Sequence, residues 1–303
     1  IAKVLKNEIA FLGNTFPLEI TLSAQQCKGE RIQVEIWNKG KKVYTESRII
    51  SSDDEYQKVK INLLAEDVGL QHYTIVVTQL SNEKNSRNNS YSTYVQVIDS
   101  RYKILLLTEN THPDIAAYKS AIEKNKNYAV EQVNVIDFNG SFEAYQLVVV
   151  FGIQKNNPLL IQLEKTNVPL LVFDIQQNLN LKLTSGFSFK SRGGLEEVKA
   201  VKSEFFSKFT FSPELLNLIQ DAPPLQTSFG KYTLQIGSEV VIAQQIGMQV
   251  TTKPVILINE TNGRKLAFIT AEGLWKWKLY DYANTKNNEA FDELFSKLTQ
   301  YLV

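Results

Sequence analysis

Lys103-Ile104-Leu105-Leu106-Leu107-Thr108 divides the chain into two kinds of pattern. Before it, apolar residues fall at alternate positions. From it onward, they come in short unbroken runs separated by segments of helical spacing. An unbroken run of this length is what a strand covered on both faces looks like, whereas alternation marks a strand with one wet face.

Working back from Lys103, the alternation is sustained. Phe16, Leu18, Ile20 and Leu22 form one set, then Ile32, Val34 and Ile36, then Val59, Ile61 and Leu63, then Tyr73, Ile75 and Val77, then Tyr91, Thr93, Val95 and Val97. Turn residues separate them, as in Asn38-Lys39-Gly40 and Ser51-Ser52-Asp53-Asp54. About six or seven short strands at this spacing predict an immunoglobulin-like all-β sandwich over residues 1–98. Trp37 is expected in its core and His72 at its surface. Asp67-Val68-Gly69 ahead of Tyr73 suggests the tyrosine corner of such folds.

Working forward, Leu147–Phe151 (LVVVF) and Pro169–Phe173 (PLLVF) are further buried runs. Helical spacing lies between them, over 113–125 and 158–166, each segment opening on Pro. Alternating strands and helices predict βαβ units with a parallel sheet. Residues 99–303 therefore read as a three-layer, flavodoxin-like α/β domain with an antiparallel addition. Asn262-Gly263 predicts a hairpin between two late strands. Phe291, Leu294, Phe295, Leu298 and Leu302 predict a closing amphipathic helix.

Composition narrows the function. The 33 basic and 32 acidic residues leave a net charge of +1, so nothing favours nucleic acid by bulk charge. One Cys makes neither a disulfide nor a cysteine zinc site, and two His leave few places for histidine chemistry. No metal and no cofactor is expected. No apolar run approaches the roughly 20 residues that cross a bilayer. The single Met is Met248 and the chain opens on Ile1, which suggests a piece of a longer protein. Any contact with a membrane would then be made by segments not in this sequence.

In an open parallel sheet, ligands bind beyond the carboxyl ends of the strands. The loops after Thr108, Phe151, Phe173 and Thr270 are therefore the ones that matter. They bring forward His112, Gly152, Asp174 and Glu272 as candidate ligand-binding residues. Trp275 and Trp277, one residue apart, would share a face in an extended segment and form an aromatic platform. Ser191-Arg192-Gly193-Gly194 reads as a turn and lacks the Lys-Ser/Thr ending of a phosphate loop.

LVVVFG (147–152), NVPLLVFD (167–174) and FITAE (268–272), in that order, resemble the class I glutamine amidotransferase fold. The tail GRKLAFIT (263–270) followed by GLWKWKL (273–279) is similar to a segment of bacterial membrane-associated proteins with glutamine-amidotransferase-like domains. The likeness spans about 102–303. It implies a β-sandwich ahead of the domain and an extracytoplasmic, periplasmic address on a membrane-anchored protein. It also implies a nucleophilic Cys on a tight elbow, a His beside a Glu after the late strand, and a glycine pair for the oxyanion. Asp174 stands at the elbow, Ala271 and Glu272 follow the late strand without a His, and only Gly152 remains of the glycine pair. The expectation is a catalytically inactive domain that binds a protein partner or a small ligand. Two alternatives stay open: a metal-assisted hydrolase using Asp174 and Glu272, and a carbohydrate-binding protein using Trp275 and Trp277.

Overall fold

The computed structural model describes residues 1–80, 83, 85–153, 157–173 and 186–303. The chain divides into two compact units, Ile1–Arg101 and Tyr102–Val303.

The first unit is built of β1 (Lys3–Lys6), β2 (Ile9–Phe11), β3 (Thr15–Gln25), β4 (Arg31–Asn38), β5 (Lys41–Ile49), β6 (Asp54–Leu64), β7 (Gly69–Val77) and β8 (Ser90–Ile98). They form a three-stranded sheet, β1-β3-β6, and a five-stranded sheet, β2-β8-β7-β4-β5. The strand order is that of an immunoglobulin-like sandwich, with the first strand split so that β1 joins one sheet and β2 pairs in parallel with β8 in the other. The inward set of each alternating strand makes one core, from Phe16 and Ile20 to Ile75 and Val95.

Two expectations fail here. Trp37 shares the outward face of β4 with Glu35, because Ile32, Val34 and Ile36 take the inward positions. Its indole donates to Glu35 Oε2 at 3.0 Å and lies under Lys42. The corner before β7 is tied by Gln71, whose amide donates to the Val68 carbonyl, while Tyr73 packs edge-on against Phe16 in the core. His72 is at the surface, stacked on Tyr94.

The second unit contains β9 (Tyr102–Thr108), α1 (Pro113–Ile122), β10 (Tyr128–Asn134), β11 (Leu147–Phe151), α2 (Pro158–Glu164) and β12 (Leu170–Phe173). There follow β13 (Phe187–Lys202), α3 (Pro213–Asp221), β14 (Leu225–Leu234), β15 (Ser238–Ile246), β16 (Gln249–Thr261), β17 (Arg264–Ile269) and β18 (Ala271–Glu272). Two helices close the chain, α4 (Leu274–Thr285) and α5 (Glu289–Leu302). The ten strands among the described residues of this unit belong to one sheet, β10-β9-β11-β12-β17-β16-β15-β13-β14-β18.

The expected helix-rich, three-layer, flavodoxin-like or glutamine-amidotransferase-like domain does not form. Of the described residues, 50% are strand and 20% are helix. The sheet is parallel only from β10 to β17, and from β16 onward every pairing is antiparallel. Antiparallel strands connect by tight turns and need no crossover helix. Asn262 and Gly263, both at positive φ, make one such turn. One face of the sheet is covered by α1, α3, α4 and α5 through Tyr118, Leu215, Trp277 and Phe295. On the other face, among the described residues, α2 contributes through Leu160 and Leu163, and a short helical turn through Phe142. More of that cover comes from loop residues such as Val135 and Phe138 and from the β13–β14 ribbon, through Phe187, Phe189 and Tyr232. A ribbon thus stands where a second helical layer was expected.

Ser191-Arg192-Gly193-Gly194 is not a turn between elements. It is an irregularity inside the 16-residue strand β13, where the pairing with β14 shifts register. Gly193 and Gly194 both take positive φ, the backbone state that lets one strand of a pair bulge.

Candidate functional site

Five parallel strands bring their carboxyl ends to one edge of the sheet. Phe151 is level with Thr108 and with Phe173, and Phe173 with Ile269. Just beyond that edge, the loop after β9 and the short strand after β17 meet. His112 Nε2 lies 3.1 Å from Glu272 Oε1, across 160 residues of sequence. The His112 ring rests on the Phe151 ring, with centroids 4.7 Å apart.

Local sequence explains why His112 is held there. It is the N-cap of α1, with Pro113 following at the first helical position. Its Nδ1 accepts the backbone N–H of Asp114 at 3.1 Å. An accepting Nδ1 carries no proton, so the neutral ring is protonated on Nε2 and donates to Glu272.

Asp114 is buried, and both of its carboxylate oxygens are used. Oδ2 accepts from Gly273 N at 2.9 Å and Oδ1 from Trp275 N at 2.7 Å. These are amides at the start of α4, whose own N-cap, Gly273, offers no side chain. Asp114 therefore stands in the first turn of one helix and caps another. Burial pushes its carboxyl above the usual Asp value, and the two amide bonds pull against that.

The structure thus brings together His112 and Glu272, and adds Asp114, which sequence reasoning passed over. No His follows the late strand in sequence, yet the fold sets one beside its acid. His112 reaches Glu272 from the other end of the unit, a pairing that no local spacing signals. Gly152 lies next to Phe151 at φ 60°, with open space where a side chain would stand. It turns the chain off the end of β11, and glycine suits that backbone state. Asp174 lies outside the described residues. Among the described residues, no group of three or more His, Cys, Asp and Glu is arranged to hold a metal ion.

The paired-tryptophan platform is corrected. Trp275 and Trp277 lie in α4, where residues two apart point to opposite sides. Trp277 is buried, and its indole N–H donates to the Pro223 carbonyl at 2.9 Å. Trp275 is half-buried against the core below α4. Leu274, Trp277 and Asp281 are the buried positions of this helix, at i, i+3 and i+7. That spacing was available in the sequence, but the Trp-Lys-Trp-Lys alternation masked it.

No protein-family model matches the chain, and no curated protein matches it. Among solved structures, a CARDB domain from Pyrococcus furiosus in complex with di-metal ions is 13% identical, with a TM-score of 0.29 over 32% of this chain and 89% of that one. A β-glucosidase from Listeria innocua in complex with isofagomine is 16% identical, with a TM-score of 0.24 over 31% of this chain and 15% of that one. The Bacteroides uniformis β-glucuronidase is 8% identical, with a TM-score of 0.20 over 57% of this chain and 23% of that one.

Proposed function

We propose that the chain is a non-catalytic, extracytoplasmic binding module, and that its second unit binds a small polar ligand at the His112–Glu272 pair. The observation that carries this reading is that both nitrogens of the His112 ring are already engaged. A general base needs a ring nitrogen with a free lone pair aimed at a nucleophile. Here Nδ1 holds the α1 cap and Nε2–H holds Glu272. The pair is instead built to recognise. Glu272 keeps 39% of its side chain exposed beside an oriented imidazole. A carboxylate in that position suits a ligand that presents an ammonium or hydroxyl donor. The extracytoplasmic address is supported by the likeness of the 263–279 segment to bacterial membrane-associated proteins.

The test is an assay of the purified chain for ammonia release from glutamine and for hydrolysis of an activated ester. The expected rate equals that of buffer. Turnover that disappears in His112→Ala, with the melting temperature of the variant retained, would overturn the reading. Protease added to spheroplasts of a bacterium expressing the full-length protein is expected to cleave it, and full protection there would refute the address.

A further inference from the structure

The outer face of the five-stranded sheet in the first unit has an unusual composition, and register settles which side chains share it. β7 and β8 set His72 beside Tyr94 and Leu70 beside Gln96. β2 sets Ile9 beside Gln96 and Phe11 beside Ile98. Ala10, Tyr73, Ile75, Val95 and Val97 point into the core, so the alternate residues point outward.

Five of those outward residues are large and apolar: Ile9, Phe11, Leu70, Tyr94 and Ile98, between 39% and 65% exposed. His72 stacks on Tyr94 among them. The other outward positions of β2, β7 and β8 hold only Ser, Thr, Gln and Val, in a chain that is 21% Asp, Glu, Lys and Arg. The surfaces around this face differ. On β4 and β5, Glu35 pairs with Lys42, and on the outer face of the other sheet Glu19 pairs with Lys58 and Lys60.

We infer that the outer face of β2, β8 and β7 is a self-association surface through which two copies of the chain form a two-fold symmetric dimer. Side chains of this size and exposure leave roughly 500 Å² of contiguous apolar surface, at the upper end of what a monomer normally shows. That is more than half of the roughly 800 Å² each partner contributes to a stable interface. The absence of charge selects the occupant. In a two-fold contact the same patch lies on both sides, so any charged residue near the axis would meet its own like in a drying interface. A face without charge avoids that penalty, and it offers an acidic or basic partner nothing to pair with. Tyr94 and His72 give one end of the patch a rigid aromatic ridge, the kind of group that anchors interfaces.

Sedimentation equilibrium of the full chain tests the inference. The wild type is expected to be a dimer at micromolar concentration. Leu70→Glu and Tyr94→Lys are each expected to weaken it by about tenfold or more. Tyr56→Lys, on the outer face of the other sheet, is expected to leave it unchanged. Circular dichroism melts check that the variants fold, and Leu70→Ser is the milder replacement should Leu70→Glu unfold. A wild type that stays monomeric to about 100 μM would overturn the inference. So would a dimer that survives the substitutions in folded protein.

Discussion

Asp114 and Glu55 show how much structure a single carboxylate can hold. Asp114 is buried with two amide donors of α4 aimed at it. Asp114→Ala leaves both amides without a partner, at about 1–3 kcal/mol for each buried group. The expected loss is about 3 kcal/mol, read by urea denaturation followed through tryptophan fluorescence. Asp281 repeats the device for α5, accepting from Phe291 N at 3.0 Å. In neither case did the sequence signal the role, because each acid lies outside the helix it caps, 159 residues from the amide for Asp114 and 10 for Asp281. Glu55 works at the surface. Its carboxylate accepts from the Gln57 side chain and from the Ser51 and Ser52 amides, which holds it down at about 2, against an ordinary value of 4.5. A depressed carboxyl stabilises the folded state above its unfolded value and loses that contribution as pH falls through the folded one. Glu55→Gln is therefore expected to lower the melting temperature of the first unit at pH 7. The gap to wild type should shrink below about pH 4.5 and close near pH 2, as calorimetry over that range would show.

At the scale of elements, the ribbon β13–β14 is the feature on which the fold turned, and a glycine holds it. A Cβ on Gly230 would stand 2.4 Å from the Phe189 ring and 2.5 Å from the Lys190 carbonyl oxygen. The carbonyl is backbone and cannot swing away, so Gly230→Ala must part the two strands. Overpacking of this kind costs about 1–3 kcal/mol. Faster amide hydrogen exchange should appear along 187–191 and 230–234, and unchanged exchange there would refute this account. The same ribbon shows why legibility was uneven. Strands with one dry face announced themselves, as in β3, β4, β6, β7 and β8, and so did runs with both faces dry, as in β9, β11 and β12. The middle of β13 is wet on both faces from Lys190 to Glu196 or nearly so, so no hydrophobic period marks it. Edge strand β5 has no buried residue and escaped for the same reason. Helix α4 was hidden differently, by aromatic and lysine residues that alternate with the period of a strand. At the candidate site, His112 and Glu272 were legible as loop residues at strand ends. Their contact was not, since it depends on which strand ends the sheet places side by side.

For the whole molecule, what matters is that each unit closes its own core. The buried cluster of the first unit runs from Ala10 to Val97, and the clusters of the second from Ile104 to Leu302. Cooperative unfolding follows shared burial, because a residue's loss is felt by whatever packs against it. Two separate cores therefore predict two unfolding transitions in scanning calorimetry. Ile75 is fully buried in the first core, and Ile75→Ala should cost about 2–5 kcal/mol there. Phe295 is fully buried in the second, where it meets Tyr118, Phe173 and Phe291 edge-on or stacked, and Phe295→Ala should cost about 3–5 kcal/mol. Each substitution is expected to lower one transition by several degrees and leave the other within about one degree. A single transition, or one that both substitutions shift equally, would mean that the two cores unfold as one. The sandwich would then be a structural part of the binding unit instead of an independent body carrying a surface of its own.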